Sequence, residues 1–153
     1  MEYLRGENRP LDTNDVPCPF CRIPTLSDEE GLIVSRGKTA YVVMNLYPYN
    51  AGHLLVCAYR HVSDLTDLTD EERNEISSLT AHSMSTLRKV SNAAGFNIGM
   101  NQGEVSGAGV AAHIHQHVVP RWGGDANFMP IIAGVKVLPQ LLSQTRADLA
   151  AAW

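Results

Sequence analysis

Cysteine is scarce in this chain of 153 residues: three is an odd number and too few for a disulfide framework. Cys18 and Cys21 form a Cys-x-x-Cys pair, while Cys57 stands alone in an apolar run. Reduced thiols and a cytoplasmic setting are therefore expected, with Cys57 acting as a small buried hydrophobe. Positive charge is also limited, since 12 Lys and Arg face 16 Asp and Glu for a formal net charge of −4. A nucleic-acid groove would need a basic stripe. Any phosphate bound here must be held by local geometry and not by a broad positive field, which points to a small ligand. Residues 1–17 carry Glu2, Glu7, Asp12 and Asp15 and lack the apolar stretch of a secretory signal. They read as a polar arm before a single domain spanning residues 18–153. Residues 39–59 hold no charge, but Asn45-Leu-Tyr-Pro-Tyr-Asn-Ala-Gly52 breaks them into two runs of strand length. Two strands and a turn are expected there, not a membrane span.

No internal repeat or low-complexity linker divides the chain, which is long enough for one self-supporting core. Residues 31–35 and 39–45 read as strands joined by Arg36-Gly37-Lys38, and residues 53–59 as a third. Thr69-Asp-Glu-Glu72 is a capping box, Thr69 being the N-cap and Glu72 the reciprocal residue. Ile76, Leu79, Ser83, Leu87 and Val90 recur at helical spacing, and Gly95 supplies a stop. A long amphipathic helix over 70–93 follows, with His82 off its apolar stripe as a solvated residue. Residues 96–101 and 113–119 read as the last two strands, with the Gly-rich segment 103–109 between them. Leu138, Leu141, Leu142, Thr145 and Leu149 suggest a terminal helix. Short turns between neighbouring strands favour antiparallel pairing, so the fold class is α+β: a sheet of about five antiparallel strands with two helices.

The sharpest feature is His113-Ile-His115-Gln-His117-Val-Val119-Pro120. Side chains alternate along a strand, so the three histidines share one face and Ile114, Gln116 and Val118 the other. Imidazoles are costly to bury unless each is given a hydrogen-bond partner or a metal. A surface cluster without function is the bland alternative. A catalytic zinc centre, built from a His-x-His pair and a third histidine, is the sharper one. The Cys18/Cys21 pair leaves three possibilities open as well: a zinc site, a redox pair, or two ordinary thiols.

This pattern resembles the histidine-triad (HIT) family, defined by His-x-His-x-His followed by two apolar residues. The resemblance extends to Asn45-Leu-Tyr-Pro-Tyr-Asn-Ala-Gly-His53, to Phe96-Asn-Ile-Gly-Met-Asn101 and to Pro120-Arg-Trp-Gly-Gly-Asp125, in that order. From Pro24 onward the chain is most similar to actinobacterial diadenosine tetraphosphate phosphorylases. The resemblance implies a HIT-like fold, a nucleotide substrate linked through its α-phosphate, and a nucleotidyl-histidine intermediate. It makes His115 the nucleophile, with His117 and His53 lining the α-phosphate and Asn101 near the phosphate and leaving group. Asn45 matches a ribose-binding position, and Phe20, Ile23 and Leu46 match residues around the base, though plain core packing would also account for these. Gly107 and Gly109 belong to a loop whose backbone N–H groups can form an anion nest.

Some members, and the related galactose-phosphate uridylyltransferases, carry a structural zinc; the matching positions here are Cys18, Cys21, His61 and His113. Two thiolates and two imidazoles make a closed tetrahedral site. Mg²⁺ would enter only as a companion of a polyphosphate substrate. A homodimer is implied by analogy, with no nucleic-acid or membrane partner. Two departures stand out. Many members place Gly-Gln-Ser or Gly-Gln-Thr before the triad, where this chain has Gly107-Ala-Gly-Val110, one residue longer from Asn101. Gln116 replaces a usual apolar residue and could line an entrance, pack at an interface or sit on the far face. A non-catalytic purine-nucleotide sensor is the alternative to an enzyme.

Overall fold

The two uncharged runs on either side of the Asn45–His53 loop form adjacent strands, and the rest of the sheet is built outward from them. The computed structural model describes residues 18–125 and 140–153; the expected arm over residues 1–17 and Leu138 lie outside that range. The elements are α1 (Pro19–Arg22), β1 (Ile33–Arg36), β2 (Ala40–Met44), β3 (Leu54–Ala58), α2 (Asp70–Ser91), β4 (Gly95–Met100), β5 (His115–Arg121) and α3 (Leu142–Ala152). All five strands are antiparallel in the order β1-β2-β3-β5-β4, which makes β4 an edge. The α+β architecture expected from the sequence is the one observed. Among the described residues no helix is long and apolar enough to cross a membrane.

Alternation along the strands separates two cores. Val42, Val56, Val118 and Ile114 face α2 and α3, packing with Ile76, Leu87 and Leu149. Phe20, Ile33, Tyr41, Val43, Leu55 and Cys57 form the opposite face. Register places Cys57 opposite His115 and Leu55 opposite His117, so the histidines belong to this second face. Gln116 points the other way and donates to Thr80 Oγ1 at 2.6 Å, which settles its place: it ties β5 to α2 on the far side of the sheet from the histidines.

Details of α2 and α3 differ from expectation. The stop comes at Asn92, left-handed at φ 52°, so the helix ends before Ala93. Val90 is 38% exposed. Ile76, Ser83 and Leu87 of the expected stripe are buried, and Glu72, Thr80 and Thr86 join them on that face. Thr80 and Ser83 tolerate burial because their hydroxyls donate to Ile76 O and Leu79 O, both at 2.7 Å. His82 is exposed as expected, yet its ring stacks on Trp153 at 4.4 Å. In α3, Leu149 is fully buried and Leu142 packs on the core, whereas Leu141 faces solvent.

Two glutamates on α2 carry more than helix propensity. Glu75 reaches the β1–β2 turn and accepts from Lys38 N at 2.8 Å, Ala40 N at 3.0 Å and the backbone and hydroxyl of Thr39. A Cβ at Gly37 would sit 2.6 Å from Glu75 Oε1 and 2.8 Å from Ala40 O, so only glycine fits there. Glu72 is buried, completes the capping box with Thr69 and accepts two bonds from Arg60 at 2.9 and 2.7 Å. Arg60, and then the Thr69 cap, hold its carboxyl at about 2. A depressed carboxylate stabilises the fold fully above its unfolded value near 4.5 and loses that contribution as pH falls through about 2. Glu72→Gln is expected to cost roughly 1–3 kcal/mol at neutral pH, read by urea unfolding, with the gap to wild type closing in acid.

Candidate active site

Ring geometry on the second face follows from which partners can only donate and which can only accept. The main-chain oxygen of His113 can only accept, so His115 Nδ1, 2.8 Å away, carries the proton. His115 Nε2 is left as the lone-pair atom of a ring that lines the cavity. Phe20 packs against that ring at 4.7 Å. Burial, only partly opposed by the bond to His113 O, holds the His115 pKa below the usual histidine value, which favours the neutral base.

A second chain of bonds sets His117. Tyr49 N–H can only donate, so His53 Nδ1 accepts from it at 2.9 Å, and from Asn45 Nδ2 at 3.3 Å. A neutral His53 therefore carries its proton on Nε2, which donates to His117 Nδ1 at 2.9 Å. The His117 proton must then sit on Nε2, an atom buried without a protein partner. Burial, with the neighbouring His115 second, lowers the His117 pKa to about 4. A buried N–H without an acceptor costs about 1–3 kcal/mol, and a ligand oxygen would relieve it.

Both rings open on a cavity of about 340 Å³. Phe20, Ile23, Leu32, Val43 and Leu46 form an apolar part of its wall, and Asn45, Asn101, His115 and His117 a polar part. Tyr49 lies parallel to His117 at 5.5 Å.

His113 is turned to a different task. It precedes β5 in the chain, held by a bond from Ile114 N to Val62 O at 2.7 Å. His113 Nε2 donates to Ala58 O at 2.9 Å, which leaves Nδ1 as a lone pair 3.4 Å from Cys18 Sγ and 3.5 Å from Cys21 Sγ. His61 Nδ1 lies 3.3 Å from Cys21 Sγ. The thiols are brought together because Pro19 starts α1, whose first turn folds Cys21 N back onto Cys18 O at 3.1 Å. All four ligand atoms lie within 4.8 Å of one another. The edge of a tetrahedron around zinc is about 3.3–3.8 Å for N and S ligands, so the donor set and its spacing fit that ion. Burial pushes the Cys18 thiol up to about 11, a penalty that a bound dication would reverse. Among the described residues this is the one group of three or more His, Cys, Asp or Glu side chains that could hold a metal.

Residues 28–124 match the HIT domain family. This chain belongs to the HIT family. The AP-4-A phosphorylase of Mycobacterium tuberculosis is 57% identical over 156 residues, spanning 100% of this chain and 80% of that protein. The bifunctional bis(5'-adenosyl)-triphosphatase/adenylylsulfatase of Arabidopsis thaliana is 38% identical over 87 residues, 56% of this chain and 47% of that one. Among solved structures, a Zn-bound histidine triad family protein from Mycobacterium smegmatis superimposes with a TM-score of 0.68 at 25% identity, covering 88% and 91% of the two chains. With a relative of that kind matched along the whole of this chain, this HIT protein is an enzyme.

Within the HIT enzyme, the structure gathers His115, His117, Asn101, Asn45, Phe20, Ile23, Leu46 and Gly109 around one cavity. Two expected residues lie elsewhere. His53 is fully buried behind His117 and is not part of the cavity wall, because its role in the bond chain consumes its position. Gly107 caps a short helical turn at φ 81° and does not reach the cavity. Sequence reasoning missed Tyr47, Tyr49, Leu32, Val43 and Glu30, which also line it. Tyr47 and Tyr49 stand inside the quoted Asn45–His53 motif and were within reach; Glu30 carried no signal.

Proposed function

We propose that this HIT enzyme cleaves AMP-linked anhydrides, dinucleoside polyphosphates such as diadenosine tetraphosphate, through a nucleotidyl group carried on His115. The observation that supports it most is the His115 ring, neutral and held by His113 O so that Nε2 keeps a lone pair at the cavity. In the first step that lone pair forms a bond to the α-phosphorus. The bond from phosphorus to the bridging oxygen breaks, and its electron pair leaves with the departing polyphosphate. His117 Nε2–H donates to a non-bridging oxygen and stabilises its growing charge. His53 acts through His117 and Asn101 from the cavity wall, while the apolar wall takes the base and Asn45 the ribose. In the second step an acceptor oxygen attacks the same phosphorus and the bond to Nε2 breaks. Orthophosphate as acceptor gives ADP and ATP from diadenosine tetraphosphate; water gives AMP.

Phosphorolysis is favoured by the 57% identity to a phosphorylase. Incubation with diadenosine tetraphosphate is expected to yield ADP and ATP in equal amounts when phosphate is present, read by anion-exchange chromatography. AMP and ATP at the same rate regardless of phosphate would assign hydrolysis instead. No turnover on any AMP-linked substrate would favour the nucleotide sensor. Zinc, on this reading, is structural at Cys18, Cys21, His61 and His113, and Mg²⁺ arrives only with the polyphosphate. We read the assembly as a cytoplasmic homodimer, which would cover the β4 edge where Ile98 is 45% exposed.

A further inference from the structure

We propose that Asn50 and Asp125 are a positioning pair that fixes the proton of His117 on Nε2, by holding the loop whose Tyr49 N–H and Asn45 amide orient His53. The rate consequence rests on the nucleotidyl-transfer reading; the proton's location does not.

The bonded pair His53–His117 has two arrangements with the same number of bonds between the rings. In one, His53 Nε2 donates to His117 Nδ1 and His117 offers an N–H to the cavity. In the other, His117 Nδ1 donates to His53 Nε2, His53 carries its proton on Nδ1, and His117 presents a bare lone pair to the cavity. The second arrangement would repel a phosphoryl oxygen. What separates the two is the group facing His53 Nδ1. Tyr49 N–H at 2.9 Å makes the second arrangement a clash of two donors. Asn45 Nδ2 adds a longer bond at 3.3 Å, and the orientation of that amide is set by Tyr47 N donating to Asn45 Oδ1 at 3.0 Å. Both selecting donors therefore depend on where the 45–53 loop lies.

The side chain of Asn50 joins that loop to the end of β5, the strand that carries His117. Its Nδ2 donates to Pro120 O at 3.0 Å and to Asp125 Oδ2 at 2.8 Å, using both hydrogens. Asp125 is itself immobilised. Arg121 grips it with two bonds, Nε at 2.7 Å and Nη2 at 2.8 Å, and Trp122 N donates to it at 3.1 Å. The carboxylate is 11% exposed and has the acceptor capacity that the amide needs. The loop's other end is closed by Asn45 N to His53 O at 2.9 Å, and its turn, with Gly52 at φ 74°, by His53 N to Asn50 O at 3.2 Å. Asn50 follows Tyr49 directly in the chain, so its two side-chain bonds bear on the height of the Tyr49 N–H above His53, together with the packing of the Tyr49 ring on His53 at 4.7 Å.

The test compares the zinc-loaded full chain with Asn50→Ala and Asp125→Ala by long-range ¹H–¹⁵N correlation of the histidine rings, without substrate. Wild type is expected to show His117 as a single Nε2–H tautomer. Both variants are expected to show a mixture, with kcat on diadenosine tetraphosphate lowered on the order of 10-fold while KM changes less than about twofold. Asp125→Ala, one residue further from the rings, keeps the comparison readable should Asn50→Ala not fold. A wild-type His117 protonated on Nδ1, or an unchanged single tautomer in both variants, would overturn the assignment. Mixed tautomers with unaltered kcat would uphold the positioning and count against the phosphoryl role of His117.

Discussion

Replacing His115 with alanine is expected to lower turnover of diadenosine tetraphosphate by on the order of 10⁴-fold or more, in phosphate and in phosphate-free buffer alike. Both half-reactions use the same nitrogen, so no acceptor rescues the loss. The substitution spares the elements that hold the fold. The His115 ring packs on Phe20, and its side-chain bond is to the carbonyl of His113, just before its own strand. Its deletion enlarges a cavity already open to solvent and leaves no dry void. Thermal stability should change little, and AMP affinity, measured by calorimetry, should stay within a few-fold of wild type. That combination of intact binding and lost turnover separates a nucleophile from a sensor, in which the same substitution would disturb binding or nothing.

Removing zinc is the second large effect. The four expected ligands come from the start of α1, from the segment after β3 and from His113, two positions before β5. Cys18 and His113 are 95 positions apart, so the metal would close a long loop and clip the N-terminal turn onto the histidine strand. That turn also supplies Phe20, which walls the cavity and whose main-chain oxygen accepts from Tyr41 Oη at 2.8 Å. Cys21→Ser, or exposure to a strong chelator, should therefore cost at least about 3 kcal/mol and lower Tm by roughly 10 °C. Activity should fall in step with the near-ultraviolet circular dichroism. A catalytic zinc would behave differently: activity would vanish on chelation while the melting curve stayed in place.

Much of this architecture was legible in the chain because it is written in local patterns. Two uncharged apolar runs split by a turn marked β2 and β3, a capping box marked the start of α2, and spacing placed His115 and His117 on one face. The departures have a common cause in contacts between distant segments. Val90 continues the apolar period yet is 38% exposed, while Thr80, off that period, is buried with its hydroxyl bonded to a carbonyl one turn back. His53 read as a phosphate ligand, yet a backbone N–H four residues earlier and the ring of His117 claim both its nitrogens. Gln116, ambiguous as text, finds its partner on α2, a helix that begins 46 residues earlier in the chain at Asp70 (116 − 70). Glu75 carried no signal of its own; the fold shows that it fills the β1–β2 turn.

The most direct test of the account is to trap the enzyme in turnover. Wild-type protein mixed with diadenosine tetraphosphate in phosphate-free buffer, quenched in neutral denaturant, should show by intact mass a fraction carrying one adenylyl group. Peptide mapping should place that group on His115, and addition of phosphate should discharge it. Steady turnover with no adduct at any quench time, or an adduct on another side chain such as His117, would contradict the assignment of His115 Nε2 as the attacking atom.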